Sequence, residues 1–178
     1  SKSLPSGVNL LAVTKGQPVE KIRKLASLGQ VDFGESRLQE ALPKLNSLKD
    51  LDDICWHFIG SMQANKVRQV VQSFDVIHSI HSLKLAKRIS RIAGEELKKP
   101  KVMAQVKFRE DSNKFGFTTE ELLTVKEELF QLPNMEVVGL MTISPRELDL
   151  RQRKTLFREC RLLADHLGLK DCSMGMSG

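Results

Sequence analysis

The chain has 178 residues, enough for one hydrophobic core and short for two, and its 40% apolar and 28% charged composition is that of a globular protein rather than a disordered or fibrous one. No apolar run approaches the ~20 residues of a membrane helix, and residues 1–8 lack the basic-then-apolar build of a secretory signal. Cys55, Cys160 and Cys172 are odd in number and far apart, which speaks against a disulfide framework and against a zinc site of Cys/His type. The expectation is therefore one domain over residues 1–178, cytoplasmic, away from any membrane, with packing thiols and no resident metal. The formal net charge of +6 argues only weakly for an anionic partner, because solvated basic faces are common.

In chain order, the apolar run Leu10-Leu11-Ala12-Val13 lies in a strand expected over 8–15 and ended by Thr14-Lys15. Pro18 suits the opening of a helix over 19–28, which Gly29 closes. A second strand over 31–35 is followed by a helix over 36–45, and a third over 55–60, carrying Trp56-His57-Phe58-Ile59-Gly60, by a helix over 64–72. Strand four, 75–80, holds His78. Its helix, 82–98, puts Lys84, Lys87, Arg88 and Arg91 on one face and Leu85, Ile89, Ile92 and Ala93 on another, which is read as a solvated face rather than a nucleic-acid surface. Strand five over 101–108, a helix over 119–130 with Thr118-Thr119-Glu120-Glu121 at its start, strand six over 135–143, a helix over 148–167 closed by Gly168, and a strand from Asp171 into Ser173 complete the series.

Strands alternating with helices predict a parallel α/β sheet, either doubly wound and open or most of an eight-stranded barrel; periodicity alone does not separate the two. In a barrel the active site lies at the C-terminal strand ends. The polar residues expected there are Thr14, Lys15, Glu35, Ser36, His57, His78, Ser79, Lys107, Thr142 and Ser173. Lys15 follows an apolar run, so its ammonium is expected at the rim of a packed core, partly desolvated and poised as an amine toward an aldehyde. Ser173-Met174-Gly175-Met176-Ser177-Gly178 offers hydroxyls and backbone N–H groups where barrels bind phosphate. His57 either faces a pocket or is satisfied in the core, and His78 and His81 are read as core or surface residues. Phe115 and Phe117 around Gly116 either close over a ligand or anchor their loop. No Walker loop, G-x-S-x-G elbow or paired-carboxylate motif is present, which disfavours nucleotide hydrolases, esterases and glycosidases.

At these residues the chain resembles the pyridoxal phosphate homeostasis family. The matching segments are Leu11-Ala12-Val13-Thr14-Lys15, Phe33-Gly34-Glu35, Gln39-Glu40, Trp56-His57-Phe58-Ile59-Gly60, Gln63 with Asn65-Lys66, Lys114-Phe115-Gly116-Phe117, Gly139-Leu140-Met141-Thr142-Ile143 and Ser173-Met174-Gly175-Met176-Ser177. The resemblance implies a (β/α)8 TIM barrel of PLP fold type III, shaped like the barrel of alanine racemase. It implies that Lys15 holds pyridoxal 5′-phosphate (PLP) as a Schiff base, that Ser173, Met174, Gly175 and Ser177 bind its phosphate, and that His57 and Met141 line the pocket. It also implies a monomer without catalytic activity of its own, serving vitamin B6 and amino-acid balance and passing PLP to PLP-dependent apoenzymes.

Three departures stand out. Ser36 occupies the place of the family's asparagine, the loop after Met141-Thr142-Ile143 is shorter, and the family's leading helix before Val8 and its closing segment after Gly178, with the eighth strand, are not in this sequence. A longer natural protein is expected, because unpaired barrel edges are costly. The alternative, a PLP-dependent racemase, needs a second base, which the related racemases take from tyrosine. This chain contains no tyrosine.

Overall fold

The computed structural model describes residues 4–109 and 115–176. Its strands are β1 (Ala12–Val13), β2 (Asp32–Glu35), β3 (Cys55–Phe58), β4 (Val76–Ile80), β5 (Lys101–Gln105), β6 (Glu136–Ser144) and β7 (Asp171–Met176). Between them lie α1 (Val19–Ser27), α2 (Leu38–Ser47), α3 (Val67–Ser73, after a 3-10 turn at Ala64–Lys66), α4 (Leu83–Glu95), α5 (Thr119–Phe130) and α6 (Leu150–His166). All strand pairs are parallel and the sheet order is β1-β2-β3-β4-β5-β6-β7. A doubly wound sheet must reverse its strand order at a switch point, and this one never does. With crossovers of one hand, that order sends every helix to the same face of the sheet.

The other face closes on itself. In a flat sheet β4 and β7, three strands apart, would be separated by ~14 Å. Instead His78 Nδ1 on β4 lies 2.8 Å from Ser173 Oγ on β7, so the sheet is curled about an inner face. Alternation along the strands sorts the apolar residues accordingly. Phe33, Phe58, Ile77, Val102 and Leu140 join Ile22, Ala41, Val70, Ile89, Leu122 and Cys160 of the helices in the main core, while Val76, Met103 and Met141 form a separate inner cluster with Cys55, Val138 and Ile143 around them. The expected parallel α/β sheet is therefore present, and the curled alternative, not the open one, is adopted.

Most elements lie within two or three residues of their expected positions, and α5 coincides with its expected span, started by a Thr118–Glu121 capping box. The first strand differs most. An apolar run over 8–15 was expected to pair along its length, but only Ala12 and Val13 do, while Val8, Leu10 and Val13 remain exposed. Among the described residues β1 has β2 alone as a neighbour. No helix of the described residues is long and apolar enough to cross a membrane.

Candidate functional site

The chain leaves β1 through the turn Thr14-Lys15-Gly16-Gln17, closed by Gln17 N–H donating to Thr14 O at 3.0 Å. Gly16, third in the turn, has φ +70°, the left-handed value a type II turn demands there and glycine adopts without strain. Lys15 sits at the corner before it, exposed.

The turn is clamped on both sides of Lys15 from α2. Lys44 Nζ donates to Thr14 O at 2.8 Å, to Glu35 Oε1 at 2.8 Å and to Glu40 Oε1 at 2.9 Å, so all three of its N–H donors are used. Glu40 accepts from Gly16 N–H, and Thr14 Oγ1 donates to Glu35 Oε1 at 2.7 Å. Both peptide groups flanking Lys15 are thus tied to one charge network. The Glu35 side chain is fully buried and the Lys44 side chain 9% exposed. Burial by itself would lower the Lys44 pKa; hydrogen bonds to Glu35 and Glu40 outweigh it and hold the ammonium above the ordinary lysine value. The Gly16 N–H, and after it Lys44, hold the Glu40 carboxylate below its ordinary value.

On the inner face a second network crosses the curl. Asp32 Oδ1 lies 3.0 Å from His57 Nε2, His57 Nδ1 lies 2.8 Å from His78 Nε2, and His78 Nδ1 lies 2.8 Å from Ser173 Oγ. One continuous chain of polar groups therefore runs from β2 through β3 and β4 to β7. His78 is 2% exposed. Burial, and next the neighbouring His57, push its pKa down to about 3, so its ring is neutral. Cys55 lies beside this chain; Asp32, Cys55 and His57 each bring a polar atom within 4.8 Å of the others. Burial and the Asp75 and Asp32 charges push the Cys55 thiol up to about 11. Within this group His57 Nε2 is in hydrogen-bond contact with Asp32 Oδ1.

All 178 residues match the family model for the alanine racemase N-terminal domain. The pyridoxal phosphate homeostasis protein of Synechocystis is 44% identical over 99% of this chain and 84% of its own length, and that of Pseudomonas aeruginosa is 40% identical over 97% and 76%. The chain belongs to the pyridoxal phosphate homeostasis family. Two structures of PipY from Synechococcus elongatus share its architecture. The one without PLP has a TM-score of 0.93 at 36% identity over 97% of this chain and 91% of that one. The one with PLP bound has a TM-score of 0.91 at 40% identity over 98% and 84%. An alanine racemase of Clostridium difficile, with a TM-score of 0.74 at 15% identity over 96% of this chain and 46% of that one, shares the fold.

The family's segments fall on the two networks: Thr14-Lys15, Phe33-Gly34-Glu35 and Glu40 on the clamp, His57 and Ser173 on the inner chain. Met141 is buried on the inner face beside Val76 and Met103. Met174 is 41% exposed and Gly175 is exposed, while Ser177 and Lys114 lie outside the described residues. Gly60 closes the loop after β3 directly over the loop after β2: a Cβ there would sit 2.0 Å from Ser36 O. Phe115 is exposed and packs on His81, ring centroids 5.0 Å apart, whereas Phe117 is buried and anchors the loop. The basic face of α4 is exposed, and part of its charge is answered within the fold, Lys87 by Glu128 and Arg91 by Glu95.

Three sequence expectations are corrected. Ser173, expected at the end of the last strand with a loop from Met174 on, lies inside β7, because β7 goes on pairing with β6 as far as Met176 opposite Ser144. Glu35, placed among the rim residues, points to the helix layer, because it shares the outward phase of Phe33 on β2 and meets Lys44 there. Lys15, expected to be partly desolvated, is exposed, because β1 ends two residues earlier and the turn carries the side chain clear of the core. The residues sequence reasoning missed are Asp32 and Lys44. Period-two alternation in Asp32-Phe33-Gly34-Glu35 puts Asp32 opposite Phe33, on the inner face, but nothing local to Lys44 points to a partner nine residues before it.

Proposed function

We propose that this protein binds PLP at the C-terminal rim of its curled sheet, with Lys15 Nζ as the covalent attachment point, and holds the cofactor for vitamin B6 homeostasis and amino-acid balance without turning over a substrate of its own. The observation that carries this is the clamp: an exposed lysine amine whose two flanking peptide groups are fixed by Lys44 and Glu40. Such fixing sets the point and direction from which the side chain leaves the backbone while the amine itself stays exposed.

The residues present fit the group. PLP supplies an aldehyde, which a primary amine can hold, and a phosphate, which needs donors. Lys15 offers the amine. Ser173 offers an inner-face hydroxyl, and a side chain at Gly175 would meet nothing within 4 Å, so there is room at the end of β7 for an anion. Met174, Gly175 and Ser177 take the phosphate with Ser173, while His57 and Met141 bound the inner side. The relative PipY, whose structure has PLP bound, supports PLP as the ligand.

The finer architecture proposed is a (β/α)8 barrel whose eighth strand would lie between β7 and β1, the two edges of the sheet. A cytoplasmic monomer that passes PLP to apoenzymes and binds neither nucleic acid nor membrane completes the proposal. The test is covalent. After incubation with PLP and borohydride reduction, peptide mass mapping is expected to find the cofactor on Lys15 and to lose it in Lys15→Ala. An unmodified wild type, or an unchanged adduct in the variant, would overturn the assignment; racemisation of L-alanine faster than by free PLP would overturn the non-catalytic role.

A further inference from the structure

The inner chain from Asp32 to Ser173 has a direction, and that direction follows from one end. An ionised carboxylate only accepts, so His57 Nε2 donates to Asp32 Oδ1 across 3.0 Å. In the state where His57 carries a single N–H, that N–H is on Nε2, so His57 Nδ1 accepts and the donor 2.8 Å away is His78 Nε2. His78 Nδ1 must then accept as well, and its donor, at 2.8 Å, is the Ser173 hydroxyl. In this state the Ser173 proton is committed to His78, and the hydroxyl presents lone pairs to anything placed beyond it.

We propose that Asp32, His57 and His78 are positioning residues for Ser173, and that uptake of one proton by this chain turns the Ser173 hydroxyl from a donor to His78 into a donor to a bound phosphate oxygen. The proposal rests on the assignment of Ser173 to the PLP phosphate.

The protons balance. One proton arrives from solvent at Ser173 Oγ while the hydroxyl's former proton passes to His78 Nδ1, and the proton on His78 Nε2 passes to His57 Nδ1. His57 then carries both N–H groups and the positive charge, directly against Asp32. His78 is neutral before and after, changing only its tautomer, as its burial requires. Ser173 accepts from His78 Nδ1–H and its own O–H is free for the anion. The site gains one positive charge as a phosphate arrives, with no side chain moving.

The groups facing His57 are Asp32 from β2, His78 from β4 and Cys55 from its own strand, with Ser173 of β7 beyond His78. Asp75, before β4, and Lys101, on β5, act on Cys55 from the next shell outward. Asp32 is the one of these in hydrogen-bond contact with His57 that stabilises a cation there.

The experiment is nitrogen NMR of the protein labelled with 15N-histidine, recorded without ligand, with inorganic phosphate and with PLP at one pH. Without ligand, His78 is expected as the Nε2–H tautomer with an unprotonated Nδ1. With PLP, its Nδ1 is expected to become protonated and both nitrogens of His57 to carry protons. Calorimetric titration in buffers of different ionisation enthalpy is expected to show about one more proton taken up per PLP by the wild type than by His78→Gln. If the mass adduct forms on Lys15 but His78 keeps its tautomer and the two proteins take up equal numbers of protons, the relay is wrong and the PLP assignment stands. If no adduct forms on Lys15, the PLP assignment falls, and the relay to its phosphate falls with it.

Discussion

Replacing Lys44 by methionine tests whether the clamp on the Lys15 turn is a structural keystone. Methionine keeps most of the volume, so the change is electrostatic. Glu35 would be left fully buried, with Oε2 already lacking a partner and Oε1 bonded only to the Thr14 hydroxyl. Removing one member of a buried ion pair costs ~3–5 kcal/mol, mostly through the stranded charge. At ~2–4 °C per kcal/mol for a chain of this length, that is a fall in Tm of ~6–20 °C. Urea unfolding followed by far-UV circular dichroism at pH 7 gives the free energy directly. The double variant Lys44→Met/Glu35→Leu is expected to recover most of the loss, because the stranded carboxylate has gone with its partner. PLP affinity is expected to stay low in both, since Thr14 O and Glu40 remain unclamped. A loss below ~1 kcal/mol in Lys44→Met, the level of an exposed pair, would refute the reasoning.

Two further outcomes follow from the geometry. Gly60→Ala would press a Cβ to 2.0 Å from Ser36 O, a backbone atom that cannot rotate away, so the two rim loops must part; a loss of ~1–3 kcal/mol in urea unfolding is expected, and an unchanged midpoint would show that the loops yield freely. His78 gives stability a pH dependence: the unfolded ring takes a proton near the ordinary value of ~6.5 and the folded ring only at about 3, so its contribution is complete above the first value and lost as pH falls toward the second. Between pH ~6.5 and ~4.5 the slope due to this residue is up to ~1.4 kcal/mol per pH unit, and His78→Gln is expected to remove it; equal slopes in both proteins would refute its burial as a neutral ring.

Local signals in the sequence were enough for the alternation of strands and helices, the N-cap at Thr118 with its acidic first turn, and the choice of Lys15 and Ser173 as candidate polar residues. Each depends on a few neighbouring residues: periodicity, turn chemistry, or a motif read in a line. The curl was not legible in that way, because strand order in a sheet is a relation among seven distant segments, and open and closed sheets share the same local pattern. Nor was the phase of Glu35, whose place depends on which side the helices lie. The Asp32–His57–His78–Ser173 chain and the Lys44 clamp join residues up to 95 positions apart, and nothing local marks their members as partners. The sequence by itself determined the elements and the reactive side chains; only the tertiary structure decided which polar groups meet, because hydrogen bonds are set by distance in space and packing alone brings those strands together.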